Sequence, residues 1–242
     1  IVIQSLIPLD DLTTSRARSL TLNALNNIVI NGALSQATKG GDDKPNNLRL
    51  DLNANADREG GGSIQVNANV DLAGGAFQAT GDAFAQLGNN TTATGGGVFI
   101  VNVAGPVSLA EGILNTGGGK ITIDAGGTLS STLGRFDSLG GIVEVGAVTS
   151  IVISSPVRTS GGNFSAHVSG TGTLSVQNDI VTSGGHIALS TANGLIQSTI
   201  GANLDARFGA NVGSVTVESF AATGSGRSEE RRVGKECRLT CR

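Results

Sequence analysis

The chain contains no tryptophan and no tyrosine, and only 7 of its 242 residues are phenylalanine. A transmembrane β-barrel carries aromatic girdles at both interfaces, so this composition excludes one. Cysteine occurs twice, at Cys237 and Cys241, both near the end of the sequence. Two ligands spaced in this way fall short of a zinc site, and the rest of the chain has no thiol to report a redox compartment. No signal peptide and no transmembrane run is present. The chain starts at Ile1 instead of a methionine, and it reads as a fragment whose targeting signals would lie upstream.

Residues 227–242 differ abruptly in composition from everything before them. The run Arg227-Ser228-Glu229-Glu230-Arg231-Arg232-Val233-Gly234-Lys235-Glu236-Cys237 reads as translated sequencing adapter, a non-native tail to be set aside from fold reasoning. Without its six basic and three acidic residues the chain keeps ten basic against sixteen acidic side chains, a net charge of −6. No basic stripe and no aromatic platform remain, so nucleic-acid binding has no footing.

Glycine is abundant, with 37 residues, and it is periodic. The second Gly of each recurring pair falls at Gly75, Gly97, Gly119, Gly141, Gly162 and Gly185, spaced by 22, 22, 22, 21 and 23 residues. A constant period of this size marks a solenoid. Two residues after each Gly come Phe77, Phe99, Ile121, Val143, Phe164 and Ile187, and four after come Ala79, Val101, Ile123, Val145, Ala166 and Leu189. All twelve are apolar, and a period of two places them on one face of a strand. Val98, Ile100 and Ile142 break the polar alternation between them and suggest a covered patch. Gly62 with Ile64 and Val66, and Gly213 with Val215 and Val217, extend the pattern. Leu20 and Leu22 do so as well, followed by Leu48, Leu50 and Leu52.

A second strand reads at Ser150–Ile153 and Thr173–Val176, and a third at Ile113–Thr116, Val157–Ser160 and Ile180–Ser183. Three short strands in about 22 residues predict an all-β chain folded as a parallel β-helix, right-handed as parallel crossovers are. Glycine is expected at the corners because it reaches positive φ without a Cβ clash. The leucine-rich framework is missing, and the alternation together with so much glycine excludes a helical repeat. Residues 1–226 therefore read as one solenoid. Loop insertions are expected near 36–46, 57–61 and 84–94, and such insertions project from a solenoid where specific contacts are expected.

The run Ser19-Leu20-Thr21-Leu22-Asn23-Ala24 followed by Asn27-Ile28-Val29-Ile30-Asn31-Gly32 resembles the shaft repeats of filamentous haemagglutinin-like exoproteins. So do Thr116-Gly117-Gly118-Gly119-Lys120-Ile121-Thr122-Ile123-Asp124-Ala125 and Thr182-Ser183-Gly184-Gly185-His186-Ile187-Ala188-Leu189. The resemblance covers roughly residues 20–220. It implies a right-handed β-helical shaft at the bacterial cell surface, exported by two-partner secretion through an outer-membrane transporter. No receptor-binding motif carries over, the receptor or glycan is unidentified, and the family's secretion domain is not seen here. The expected role is a structural or adhesive shaft segment. The alternatives are the stalk of a contact-dependent inhibition toxin and a β-helical polysaccharide lyase or hydrolase.

The enzyme alternative rests on Asp124, Glu144 and His167 on three successive coils. In register, Glu144 lies diagonally from His167 with Cα atoms roughly 8 Å apart, and Asp124 is two coils away. Paired acids roughly 5 to 10 Å apart hydrolyse glycosides, but three scattered outward side chains read as solvated. His186 and His167 read the same way. Gly117-Gly118-Gly119-Lys120 is not a phosphate loop, because Ile121 follows the lysine and position 114 is Leu. Asn89-Asn90-Thr91 and Asn163-Phe164-Ser165 match the glycosylation sequon, which has no force in a bacterial chain. The calcium nonapeptide of β-rolls is absent. No catalytic, cofactor-binding or metal-ligating residue is assigned, no cofactor is expected, and the chain is expected not to be an enzyme.

Overall fold

The computed structural model describes residues 1–3, 7–8, 18–35, 47–56, 59–132, 134–199, 201–208 and 211–219. The expected insertion at 36–46 and the tail at 227–242 lie outside these residues, as do residues 57 and 58 of the second insertion. The described chain is all β: three parallel sheets of nine strands each and one short antiparallel hairpin. Each coil visits the three sheets in turn, as in the strands Ile121–Ala125, Thr128–Thr132 and Arg135–Asp137. Within each of the three sheets the strands pair in order from one coil to the next, so the molecule is a β-solenoid.

The first sheet carries the glycine-led strands. Its register runs Phe77↔Phe99↔Ile121↔Val143↔Phe164↔Ile187↔Val215. The twelve residues predicted to point inward are all buried. Alternation produces this directly: strand Ile121–Ala125 buries Ile121, Ile123 and Ala125 and turns Thr122 and Asp124 outward. Two neighbouring rungs place Phe77 and Phe99 face to face at 4.7 Å and 12°. Phe84 meets both rings edge-on, at 6.0 and 6.4 Å. The core is a single column of such rungs along the axis.

The structure corrects the loop expected at 84–94. Strands Ala83–Gln86 and Thr91–Ala93 occupy that stretch, in the second and third sheets, and Phe84 lies in the core. The sequence disguises them because two inward positions are polar. Gln86 and Thr92 are buried and satisfy each other, with Thr92 Oγ1 donating to Gln86 Oε1 at 3.1 Å. Gln86 Nε2 also donates to the Asn90 carbonyl at 3.3 Å. A second correction concerns Gly62. Strand Ser63–Val66 pairs with Ile28–Ile30 and Ala83–Gln86, so it belongs to the second sheet and not to the glycine-led one.

Departures from the 22-residue step mark the insertions. The first-sheet register advances from Leu20 to Leu50, from Leu50 to Phe77, and at the far end from Ile187 to Val215. The last of these long steps contains the antiparallel hairpin of Arg207–Phe208 and Asn211–Val212, an insertion that the glycine period alone does not reveal.

The glycines have two distinct jobs. Gly96, Gly118, Gly140, Gly161 and Gly184 have φ between 106° and 112°, so the tight corner needs them for backbone freedom. The next glycine of each pair, which sets the period, is not in that region. A Cβ at Gly119 would stand 1.9 Å from the Gly97 carbonyl oxygen, and one at Gly97 would stand 2.0 Å from that of Gly75. Close stacking of the coils, not positive φ, is what demands glycine there.

Candidate functional site

The corner between the third and first sheets holds the most regular polar structure of the molecule. Thr94, Thr116, Ser138, Thr159 and Thr182 occupy equivalent positions and have no exposed surface. Each hydroxyl donates to the carbonyl three residues on. The contacts are Thr94 to Gly97 at 2.5 Å, Thr116 to Gly119 at 2.6 Å, Ser138 to Gly141 at 2.6 Å and Thr182 to Gly185 at 2.5 Å. Thr159 does the same to Gly162.

The residue after each hydroxyl also has positive φ: Gly95, Gly117, Leu139, Ser160 and Ser183 lie between 49° and 64°. Two successive positive φ values closed by a bond from the fourth residue back to the first, such as Gly119 N–H to the Thr116 carbonyl at 3.2 Å, describe a type I′ corner. The second of these residues donates to the next coil, as Gly118 N–H does to the Ser138 carbonyl at 2.7 Å. Hydroxyl, turn and stacked glycine therefore form a continuous ladder parallel to the axis. The sequence reading missed it. Its signal is a Thr or Ser three residues before five of the six period-setting glycines, Leu72 standing before Gly75.

An Asx contact prepares several of these corners. Asp71 Oδ1 accepts from Ala73 N–H at 3.1 Å, Asn115 Oδ1 from Gly117 N–H at 2.9 Å, and Asp137 Oδ1 from Leu139 N–H at 3.1 Å. Asp137 is buried and its charge is met by Arg135 at 2.9 Å. Asp205 takes the same part at the hairpin. The Arg207 guanidinium, and then the Arg207 backbone N–H, hold its carboxyl below the ordinary carboxylate range.

The three side chains weighed for catalysis lie on the outer face of the first sheet at the expected register. Asp124 is opposite Gly146, Gly146 is opposite His167, and Glu144 is opposite Thr122 and Ser165. Their side chains face different partners. Glu144 forms an ion pair with Lys120 at 2.7 Å, both groups being 44% exposed. Asp124 Oδ1 lies over the bare Gly146, 2.7 Å from where a Cβ would stand. His167 Nδ1 pairs with Ser190 Oγ of the following coil at 2.8 Å. Among the described residues no three His, Cys, Asp or Glu side chains converge. Val98 and Ile142, suspected of lying under a cover, are 36% and 42% exposed.

A shallow open cleft of about 410 Å³ lies on the same face near the other end, lined by Arg49, Asp51, Asn53, Gln78 and Thr80. Most of its polar groups are already engaged. Arg49 Nε donates to both Asp51 oxygens at 2.9 Å, Arg49 Nη2 donates to Gln78 Oε1 at 2.6 Å, and Asn53 Nδ2 donates to Asn23 Oδ1 at 3.3 Å. Beside it Asp82 clasps the root of the second insertion. Its Oδ2 accepts from Gly62 N–H at 2.8 Å and from Gly61 N–H, and its Oδ1 accepts from Asn55 Nδ2 at 3.2 Å.

The fold and the corner ladder define a parallel β-solenoid held together coil to coil. Comparison of the chain with protein-family models, characterised proteins and solved structures finds no match.

Proposed function

We propose that this chain is a shaft segment of a large bacterial surface exoprotein of the filamentous haemagglutinin-like kind, a spacer that carries adhesive regions away from the cell. The observation that carries this reading is the corner ladder running through five successive coils beside a single apolar column, because a repeating stack is what gives a solenoid its length. The outer face supports the same reading: Glu144 is tied to Lys120, His167 to Ser190 and Arg49 to Asp51 and Gln78. These polar groups brace neighbouring strands and coils. Catalysis requires convergent groups in a water-excluding site, so this arrangement favours a role without an enzymatic reaction. Placement at the cell surface and passage through an outer-membrane two-partner transporter belong to the proposal through the resemblance of the repeats.

The test is transplantation. Residues 18–219 replace a stretch of similar length in the shaft of a two-partner-secreted exoprotein, and surface exposure of the tip is measured with an antibody. Export with an intact tip is expected. Retention of a folded chimera inside the cell, or cleavage of an acidic or neutral polysaccharide by the purified chain, would overturn the proposal.

A further inference from the structure

Side chains that reach the backbone of the next coil provide a second set of ties. Asn27 Oδ1 accepts the Ser63 N–H at 2.9 Å, Asn69 Oδ1 that of Thr91 at 2.8 Å, and Asn163 Oδ1 that of His186 at 2.9 Å. Asp179 Oδ1 accepts the Asn203 N–H at 2.8 Å. A fifth tie has the same form and a different acceptor: His186 Nδ1 accepts the Ser214 N–H at 3.0 Å. Residues 163, 186 and 214 share one register position, each preceding a member of the Phe164↔Ile187↔Val215 rung. The imidazole therefore stands where the previous coil uses an amide oxygen.

That exchange matters because imidazole, unlike an amide, takes up a proton between about pH 5 and 8. A backbone N–H can only donate. While it points at Nδ1, that nitrogen must keep its lone pair and the ring proton must sit on Nε2. Protonating Nδ1 sets two N–H groups against each other and the tie is lost. Ser214 Oγ, 2.8 Å from the same nitrogen, can turn to accept from the new N–H, but the backbone cannot. His167 supplies the contrast, since its Nδ1 partner is the Ser190 hydroxyl, which can serve either protonation state.

The tie also sits at the end of the stack, where, among the described residues, strand Val215–Ser219 is laddered on one side only, to Ile187–Thr191. Ser214 leads into strand Val215–Ser219, the end strand of its sheet among the described residues. Val215 is only half-buried and Val217 is 45% exposed, against near-complete burial of the equivalent rungs inside the stack. The ionisable groups around His186 are few. His167 lies on strand Phe164–Val168 and Glu218 lies opposite Ser190 at the far end of Val215–Ser219. The Asp205–Arg207 pair neutralises itself at 3.1 Å at the start of the hairpin, and strand Ile187–Thr191 carries no charge.

We propose that His186 is an acid-sensitive latch: its neutral imidazole ties Ser214 to the stack, and protonation breaks that tie and loosens the start of the Ser214–Ser219 segment. The test is amide hydrogen exchange on the full 242-residue chain at pH 8 and pH 5, corrected for intrinsic rates. Protection at the Ser214 amide is expected to fall roughly three- to tenfold in acid, the factor that one net hydrogen bond carries. Amides of Ile121–Ala125 should not change. His186→Asn, which copies the Asn163 tie, should abolish the difference, whereas His167→Asn should leave it in place. Equal protection at both pH values, or a fall that persists in His186→Asn, overturns the latch. The ring ¹⁵N shifts of His186 in the unaltered chain at pH 8 give an independent reading. The Nε2–H tautomer is expected, and the Nδ1–H tautomer would overturn the proposal.

Discussion

Replacing Thr116 by valine separates two accounts of what holds the coils together. The side chain has no exposed surface, and its hydroxyl donates to the Gly119 carbonyl at 2.6 Å, with the Ser138 carbonyl of the next coil 3.5 Å away. Valine has nearly the same shape with a methyl in place of the hydroxyl. If the interior were only an apolar column, Thr116→Val would stabilise the chain by about 0.8 kcal/mol, the gain for one more buried carbon. If the hydroxyl ladder holds the corner, the Gly119 carbonyl loses this donor where water cannot replace it, at a cost of about 1–3 kcal/mol. The second term exceeds the first, so a net loss near 1 kcal/mol is expected.

Solenoids unfold in pieces as well as all at once, so the local readout is the stronger one. Hydrogen exchange at the Gly118 and Gly119 amides should speed up about fivefold in Thr116→Val. Thr116 and Thr182 stand three coils apart, roughly 14 Å along the axis, so the two valine substitutions should add to about 2 kcal/mol in urea denaturation. Thr116→Ser, which keeps the hydroxyl and matches Ser138, should leave the exchange at those glycines nearly unchanged. A Thr116→Val chain as stable as the parent, with unaltered exchange at the corner, would refute the ladder.

Ile121 is fully buried in the inner column, and Ile121→Asp should lower stability by on the order of 4 kcal/mol by burying a charge without a partner; an unchanged denaturation midpoint would show the register to be wrong. Gly119→Ala drives a Cβ to within 1.9 Å of the Gly97 carbonyl and should prevent stacking, whereas Gly118→Ala, with nothing closer than 3.7 Å, should cost only the backbone strain of about 1–3 kcal/mol, a difference read by circular dichroism and thermal melting. Glu144→Gln removes the exposed pair with Lys120 and should change the melting free energy by less than about 1 kcal/mol. Deleting residues 227–242 should leave the β signal and the melting curve superimposable on those of the full chain.

The coil, its three strands and the inward set of the first sheet were legible in the sequence because one backbone geometry repeats with little variation. Where the period changes, legibility fails for identifiable reasons. Ala83–Gln86 looked like a loop because Gln86 and Thr92 point inward and satisfy each other, so polarity no longer marked the outside. Ser63–Val66 looked like a glycine-led strand because Gly62 precedes two alternating apolar residues. Its sheet depends on which strand it pairs with, and alternation does not encode that. The Arg207–Val212 hairpin was invisible because Gly213 brings the chain back into register over Gly185.

The outward groups were harder to read for a different reason. Sequence position fixed the neighbours of Asp124, Glu144 and His167 on the sheet, and the structure keeps them, but side-chain direction decided the chemistry. Lys120, one residue after a period-setting glycine, reaches diagonally to Glu144. His167 turns toward the following coil, and Asp124 fills the space that Gly146 leaves empty. The ladder of Thr94, Thr116, Ser138, Thr159 and Thr182 shows the reverse case. These residues are polar and stand beside the corner glycines, yet they have no exposed surface, because each satisfies a carbonyl of its own turn. A buried hydroxyl is stable only with such a partner. The stacked corner supplies that partner in every coil where the hydroxyl occurs, and so the solenoid can repeat a polar residue in its interior at no loss of stability.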